Sequence, residues 1–171
     1  MTGFERLWAG WRSAYVETAA DQDGSEECIF CRILAAGVDA ADQVTWRDDV
    51  CAVLLNAFPY ISGHLLVMPV RHVGETEDLT PEEGSAVWSA VTDAVRALKA
   101  AYRPDGLNIG ANLGRPAGAG VPGHFHLHVL PRWNGDTNFM TAVAGVRVMP
   151  ETLSDTYRKV KAAWPRRPPG A

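Results

Sequence analysis

The chain has 171 residues, of which 47% are hydrophobic and 21% charged, and its formal net charge is −4. Such a composition suits one folded domain with its own core and excludes a disordered polyelectrolyte. The acidic balance argues against a broad nucleic-acid surface, but it allows a small anionic substrate held by a few donors.

Residues 1–25 read as an N-terminal arm. Trp8, Trp11 and Tyr15 are large anchors for its own domain or a second subunit; the alternative is a frayed terminus. The start carries Glu5 and Trp8 and lacks the apolar core of a signal peptide. No apolar run is long enough to span a bilayer, so no membrane contact is expected. The three cysteines, Cys28, Cys31 and Cys51, are an odd set without a secretion signal, which predicts reduced thiols and a cytoplasmic location.

Residues 28–36 predict a short helix or turn, stopped by Gly37. Residues 50–56 predict a strand with Cys51, Val53 and Leu55 on one side. Phe58-Pro59-Tyr60 and Ser62-Gly63 mark a turn, and residues 64–68 predict the returning strand of a hairpin, ended by Pro69. The clearest helix spans residues 81–101. Thr80 is its N-cap, Pro81 its first residue and Glu83 the far side of a capping box. Val87, Val91, Val95 and Leu98 form an apolar stripe to lie on a sheet.

Residues 107–112 are short and extended. Residues 114–123 hold four glycines and two prolines and must be a loop. In residues 124–130 His124, His126 and His128 alternate with Phe125, Leu127 and Val129, the pattern of a strand. Residues 139–149 are partly extended, Leu153, Tyr157 and Val160 suggest a last helix, and residues 163–171 read as a flexible tail. Residues 26–162 then read as one domain. Strands with one long helix and short ones predict an α+β fold with an antiparallel sheet.

Three of the five histidines therefore share one strand face, with imidazoles starting about 6.6 Å apart. The opposite face is wholly apolar. Each imidazole has two polar nitrogens that need partners, so a row of three does not suit a core. Three readings remain: an exposed polar face, a three-histidine metal site, and a catalytic face that binds an anion. The last has chemical logic. Imidazole is a competent nucleophile near neutral pH, and the Gly-rich loop just before it offers unobstructed backbone N–H groups.

The run His124-Phe125-His126-Leu127-His128-Val129-Leu130 matches in full the motif of the histidine triad family, which the chain resembles. Likeness extends from Cys28 to about Arg132 through Cys28-Ile29-Phe30-Cys31, the Asn56 region, Gly63-His64-Leu65-Leu66-Val67-Met68-Pro69 and Leu107-Asn108-Ile109-Gly110. Residues 131–139 resemble a bacterial branch, the diadenosine tetraphosphate phosphorylases. The resemblance implies a sheet-and-helix fold, usually a homodimer, and adenine nucleotides or dinucleoside polyphosphates as substrates. It implies that His126 attacks the α-phosphate to form a nucleotidyl-histidine, which phosphate or water resolves. A weakly active nucleotide-binding regulator is the opposing class.

By the same match His128 contacts phosphate or leaving-group oxygens and His64 lies near the α-phosphate. Asn56 falls on a ribose-contacting position and Asn112 on the phosphate side. Gly118, Gly120 and Asn138 complete the substrate-binding set. Asn56 could instead hold the turn before Pro59, Asn112 the loop backbone, and Asn138 and Asp136 a turn. Phe30, Phe58 and Tyr60 could stack a base or sit in the core. Many members carry Gln followed by Ser or Thr where this chain has Gly120-Val121, which removes a side-chain donor near the leaving group.

Cys28-x-x-Cys31 is a half-site for zinc, or a pair of buried unligated thiols. His72 follows the strand ended by Pro69, and His124 opens the triad. The resemblance places a structural zinc on Cys28, Cys31, His72 and His124. No organic cofactor and no nucleic-acid partner are expected.

Overall fold

The computed structural model describes residues 28–37, 39, 43–136 and 149–166. The N-terminal arm, Asn138 and the expected extension at residues 139–148 lie outside these residues. In chain order the elements are α1 (Ile29–Ala36), β1 (Val44–Arg47), β2 (Cys51–Leu55), β3 (Leu65–Pro69), α2 (Pro81–Tyr102), β4 (Gly106–Ala111), β5 (Leu127–Arg132) and α3 (Leu153–Ala163). The five strands form one antiparallel sheet in the order β1-β2-β3-β5-β4. The fold is α+β, with one long helix, as the pattern of elements predicts.

Strands β2 and β3 are buried along their whole length, which explains their near-continuous apolar sequences. Alternation sorts their side chains. Cys51, Val53, Leu55, Leu65 and Val67 join Phe125, Leu127 and Val129 against Val87, Val91, Leu98 and the alanines of α2. Ala52, Leu54, Leu66 and Met68 face the other way, with Phe30 and Val44. The same parity puts His64, His126 and His128 on the face turned away from α2.

Helix α2 begins as its sequence requires. The Thr80 hydroxyl accepts the Glu83 N–H at 3.2 Å, and the Glu83 carboxylate accepts the Thr80 N–H at 2.8 Å. Arg71 reaches the same carboxylate with two bonds of 2.7 and 2.8 Å. At the far end Arg103 adopts a left-handed conformation, and its N–H bonds the Lys99 carbonyl.

Three differences from the sequence reading have physical causes. Strand β1 carries no clear alternation because it is bulged between Val44 and Trp46, and the Thr45 hydroxyl bonds the Val53 carbonyl at 3.0 Å. The triad run enters the sheet only at Leu127; His124 and His126 precede the ladder, and the Phe125 N–H bonds the Val73 carbonyl instead. The last helix continues to Ala163, and Trp164 stacks on Trp46 at 5.9 Å, so an anchored segment passes the expected boundary at 162. No helix among the described residues is long and apolar enough to cross a membrane.

Candidate functional site

Hairpin β2–β3, the loop before β5 and helix α1 surround a cleft of about 450 Å³ on the sheet face opposite α2. Asn56, Gly118, Gly120, His126 and His128 line it, and all five were singled out by the sequence. His64 stands behind His128, 1% exposed. Asn112 is not among the cleft-lining residues. Its amide donates to the Gly118 carbonyl at 3.4 Å, so it holds the Gly-rich loop.

The partners of each imidazole fix where its proton sits. The Tyr60 N–H donates to His64 Nδ1 at 3.1 Å, with the Asn56 amide at 3.4 Å. His64 must therefore carry its proton on Nε2, from which it donates to His128 Nδ1 at 2.8 Å. That leaves the His128 proton on Nε2, a buried atom with no hydrogen-bond partner among the described residues. His128 thus presents a donor. His126 is the converse: its Nδ1 donates to the His124 carbonyl at 2.8 Å, so Nε2 keeps a free lone pair. The two rings lie 5.1 Å apart.

Burial sets the charge state. Desolvation pushes His126 below its ordinary pKa, against the opposing pull of the His124 carbonyl. Desolvation and the neighbouring His126 push His128 down to about 4. Both rings are neutral near pH 7, as a lone-pair nucleophile and a single N–H donor require.

Asn56 also does what its turn position suggested: its Oδ1 accepts the Phe58 N–H at 2.9 Å. This tight turn leaves Phe58 at the cleft rim, 84% exposed, and sets the Tyr60 ring against both His64 and His128. Phe30 sits in the core, 6% exposed, and its ring also lines the cleft. Sequence reasoning missed Ile29, Ile33, Leu54 and Leu66 as apolar lining. The signal for Leu54 and Leu66 was present, as they alternate with the residues facing α2. Arg132 and Asp136 form a bidentate pair of 2.6 and 2.7 Å, and Arg132 also bonds Asn108 at 2.9 Å, away from the cleft.

Beside the cleft, Cys28, Cys31, His72 and His124 present one ligand atom each, all within 4.8 Å of one another. His124 donates Nε2–H to the Pro69 carbonyl at 2.9 Å, which turns the lone pair of Nδ1 toward Cys28 Sγ at 3.4 Å and Cys31 Sγ at 3.6 Å. His72 Nδ1 lies 3.3 Å from Cys31 Sγ. Tetrahedral zinc bonds of about 2.3 Å to sulfur and 2.0 Å to nitrogen place such atoms about 3.5 Å apart. The donor set, the spacing and the carbonyl that orients His124 all fit such an ion.

The HIT domain family matches residues 38–135. A Mycobacterium tuberculosis protein named AP-4-A phosphorylase is 37% identical over 168 residues, covering 96% of this chain and 86% of that protein. A Schizosaccharomyces pombe asymmetrical bis(5'-nucleosyl)-tetraphosphatase is 35% identical over 94 residues, covering 55% of this chain and 51% of that protein. Among solved structures, a Zn-bound histidine triad family protein from Mycobacterium smegmatis superposes with a TM-score of 0.66 at 32% identity, covering 82% of this chain and 94% of that one. His126 and His128 on the cleft, the antiparallel sheet and these likenesses agree: the chain belongs to the HIT family.

Proposed function

We propose that this protein cleaves dinucleoside polyphosphates, with diadenosine tetraphosphate as substrate and orthophosphate as acceptor. The carrying observation is the pairing of a neutral His126 with free Nε2 and a neutral His128 with free Nε2–H in one cleft. The likeness to the AP-4-A phosphorylase supports the choice of substrate.

In this reading His126 Nε2 attacks an α-phosphorus, and the bond from that phosphorus to the bridging oxygen breaks. ATP leaves with the bonding electron pair, and the His128 N–H stabilises the charge that develops on phosphate oxygens. A nucleotidyl-His126 remains. Phosphate attack returns ADP and restores the free imidazole; water attack would return AMP. His64, held by the Tyr60 N–H, keeps His128 in the donor tautomer. Asn56 contacts ribose, Gly118 and Gly120 supply backbone approach, Asn112 acts on the phosphate side through the Gly-rich loop it holds, and Asn138 belongs to the substrate-binding set by resemblance.

Cys28, Cys31, His72 and His124 would hold a zinc ion, as the Zn-bound relative makes reasonable. All four positions would be taken by protein ligands, so the ion would tie the N-terminal turn to the triad segment. Assembly as a homodimer is supported by the exposed edge strand β4, which leaves a row of backbone groups to pair. A cytoplasmic location follows from the reduced thiols such a centre needs.

Product analysis with diadenosine tetraphosphate tests the reading. ADP and ATP are expected when phosphate is supplied. AMP and ATP formed equally fast without phosphate would make the protein a hydrolase, as the name of the yeast relative describes that protein. No turnover with tight nucleotide binding would favour a binding protein.

A further inference from the structure

Two contacts join the four-residue metal-binding group to the cleft. One is backbone: His124 supplies the carbonyl that accepts the His126 Nδ1–H. The other is Phe30. In the run Cys28-Ile29-Phe30-Cys31 this residue falls between the two cysteines in sequence, in the first turn of α1. It meets His124 edge-on at 5.5 Å and 90°, and His126 at 5.2 Å and 68°. Phe30 is the buried residue of α1, and with Ile29 and Ile33 it makes one apolar wall of the cleft.

Helix α1 is only eight residues long and has no side-chain cap at its start. A helix this short does not hold itself in water. Arg47 ties its far end through the Leu34 carbonyl at 2.9 Å. Its near end is tied by whatever joins Cys28 and Cys31 to His72 and His124.

We propose that Phe30 is a positioning residue that couples occupancy of the Cys28, Cys31, His72 and His124 group to nucleotide binding in the cleft. An ion on both thiolates would fix the first turn of α1 and keep the Phe30 ring against His126. The cleft wall and the His126 ring would then be set together. Coupling of this kind is reciprocal: a nucleotide that pins Phe30 strengthens ion binding by the same factor. The proposal rests on the nucleotide and zinc readings above and adds a control to them. A chain that loses the ion, or whose thiols are capped, loses nucleotide affinity with every cleft histidine intact.

The test is extraction of zinc from the zinc-loaded full chain by a competing chelator, with and without saturating AMP. AMP binding is measured by calorimetry on the same samples. AMP is expected to slow extraction about fivefold or more in the wild-type chain. Phe30→Leu keeps apolar bulk but loses the ring edges, and should reduce that protection to less than about twofold while still binding zinc and AMP. A role confined to lining the cleft would weaken AMP binding in Phe30→Leu yet leave protection at saturation unchanged, which would overturn the proposal. Wild-type chain that binds zinc and AMP but loses zinc equally fast with and without AMP would also overturn it, and the nucleotide reading would stand. Wild-type chain that binds no AMP would sink both. If Phe30→Leu does not fold, the wild-type comparison still decides whether the two sites are coupled.

Discussion

His126 and His128 have the same chemistry and opposite tautomers, and their hydrogen-bond partners assign them. A carbonyl takes the His126 Nδ1–H, whereas a ring nitrogen donates to His128 Nδ1. Removing the lone pair at His126 Nε2 should stop nucleotidyl transfer and leave the apolar cleft in place. His126→Ala is expected to lower turnover of diadenosine tetraphosphate by at least about 10³-fold, with AMP affinity changed by less than about threefold. Steady-state rates and an AMP titration check this, and near-normal turnover would remove His126 as nucleophile. Just before His64, Gly63 has φ +83°, and an added Cβ would lie 3.0 Å from Pro131 and 3.1 Å from Leu98. Gly63→Ala should therefore cost more than about 1 kcal/mol in a denaturant titration. An unchanged midpoint would contradict that contact.

The start of α2 is the element whose stability is most open to pH. Glu83 is held to about 2, well below its ordinary 4.5, by the Arg71 side chain first and the Thr80 N–H second. Its folded pKa is depressed, so its contribution is full above about pH 5 and is lost as pH falls toward 2. Glu83→Gln should melt at a lower temperature than wild type at pH 7, and the gap should close across that window. A gap that stays constant from pH 7 to 3 would show that Glu83 stabilises by its shape alone. The stripe of α2 is less conditional. Leu98 is fully buried between the helix and β3, and Leu98→Ala should cost about 2–5 kcal/mol at any pH in that range.

At the scale of the whole molecule, segments distant in sequence meet at the proposed zinc centre. It would bind the start of α1, the loop after β3 and the start of the triad segment, 96 residues apart between Cys28 and His124. A chain carrying Cys28→Ala and Cys31→Ala should lose its zinc, about one ion per chain by elemental analysis, and melt at a lower temperature. Metal-free wild type whose melting is unmoved by added zinc would defeat this. The exposed β4 edge leads to a further expectation: light scattering at micromolar concentration should report twice the 18.5 kDa chain mass. A monomer mass would leave β4 as a true edge.

Much of this was legible from local chemistry. The Thr80-Pro81-Glu83 cap, the valine stripe and the alternating histidines each follow from rules that act within a few residues, so α2, the hairpin and the triad face could be read directly. The four residues that could hold a metal were legible through motif resemblance more than through spacing, since nothing local brings His72 to Cys31. Strand β1 was not legible, because a bulge breaks its alternation. The tautomers of His64, His126 and His128 were beyond any sequence reading. They depend on the Tyr60 N–H and the His124 carbonyl, whose directions exist only once the turn, the loop and the sheet are assembled. The position of Phe30 has the same origin, because only tertiary contact sets one ring against both His124 and His126.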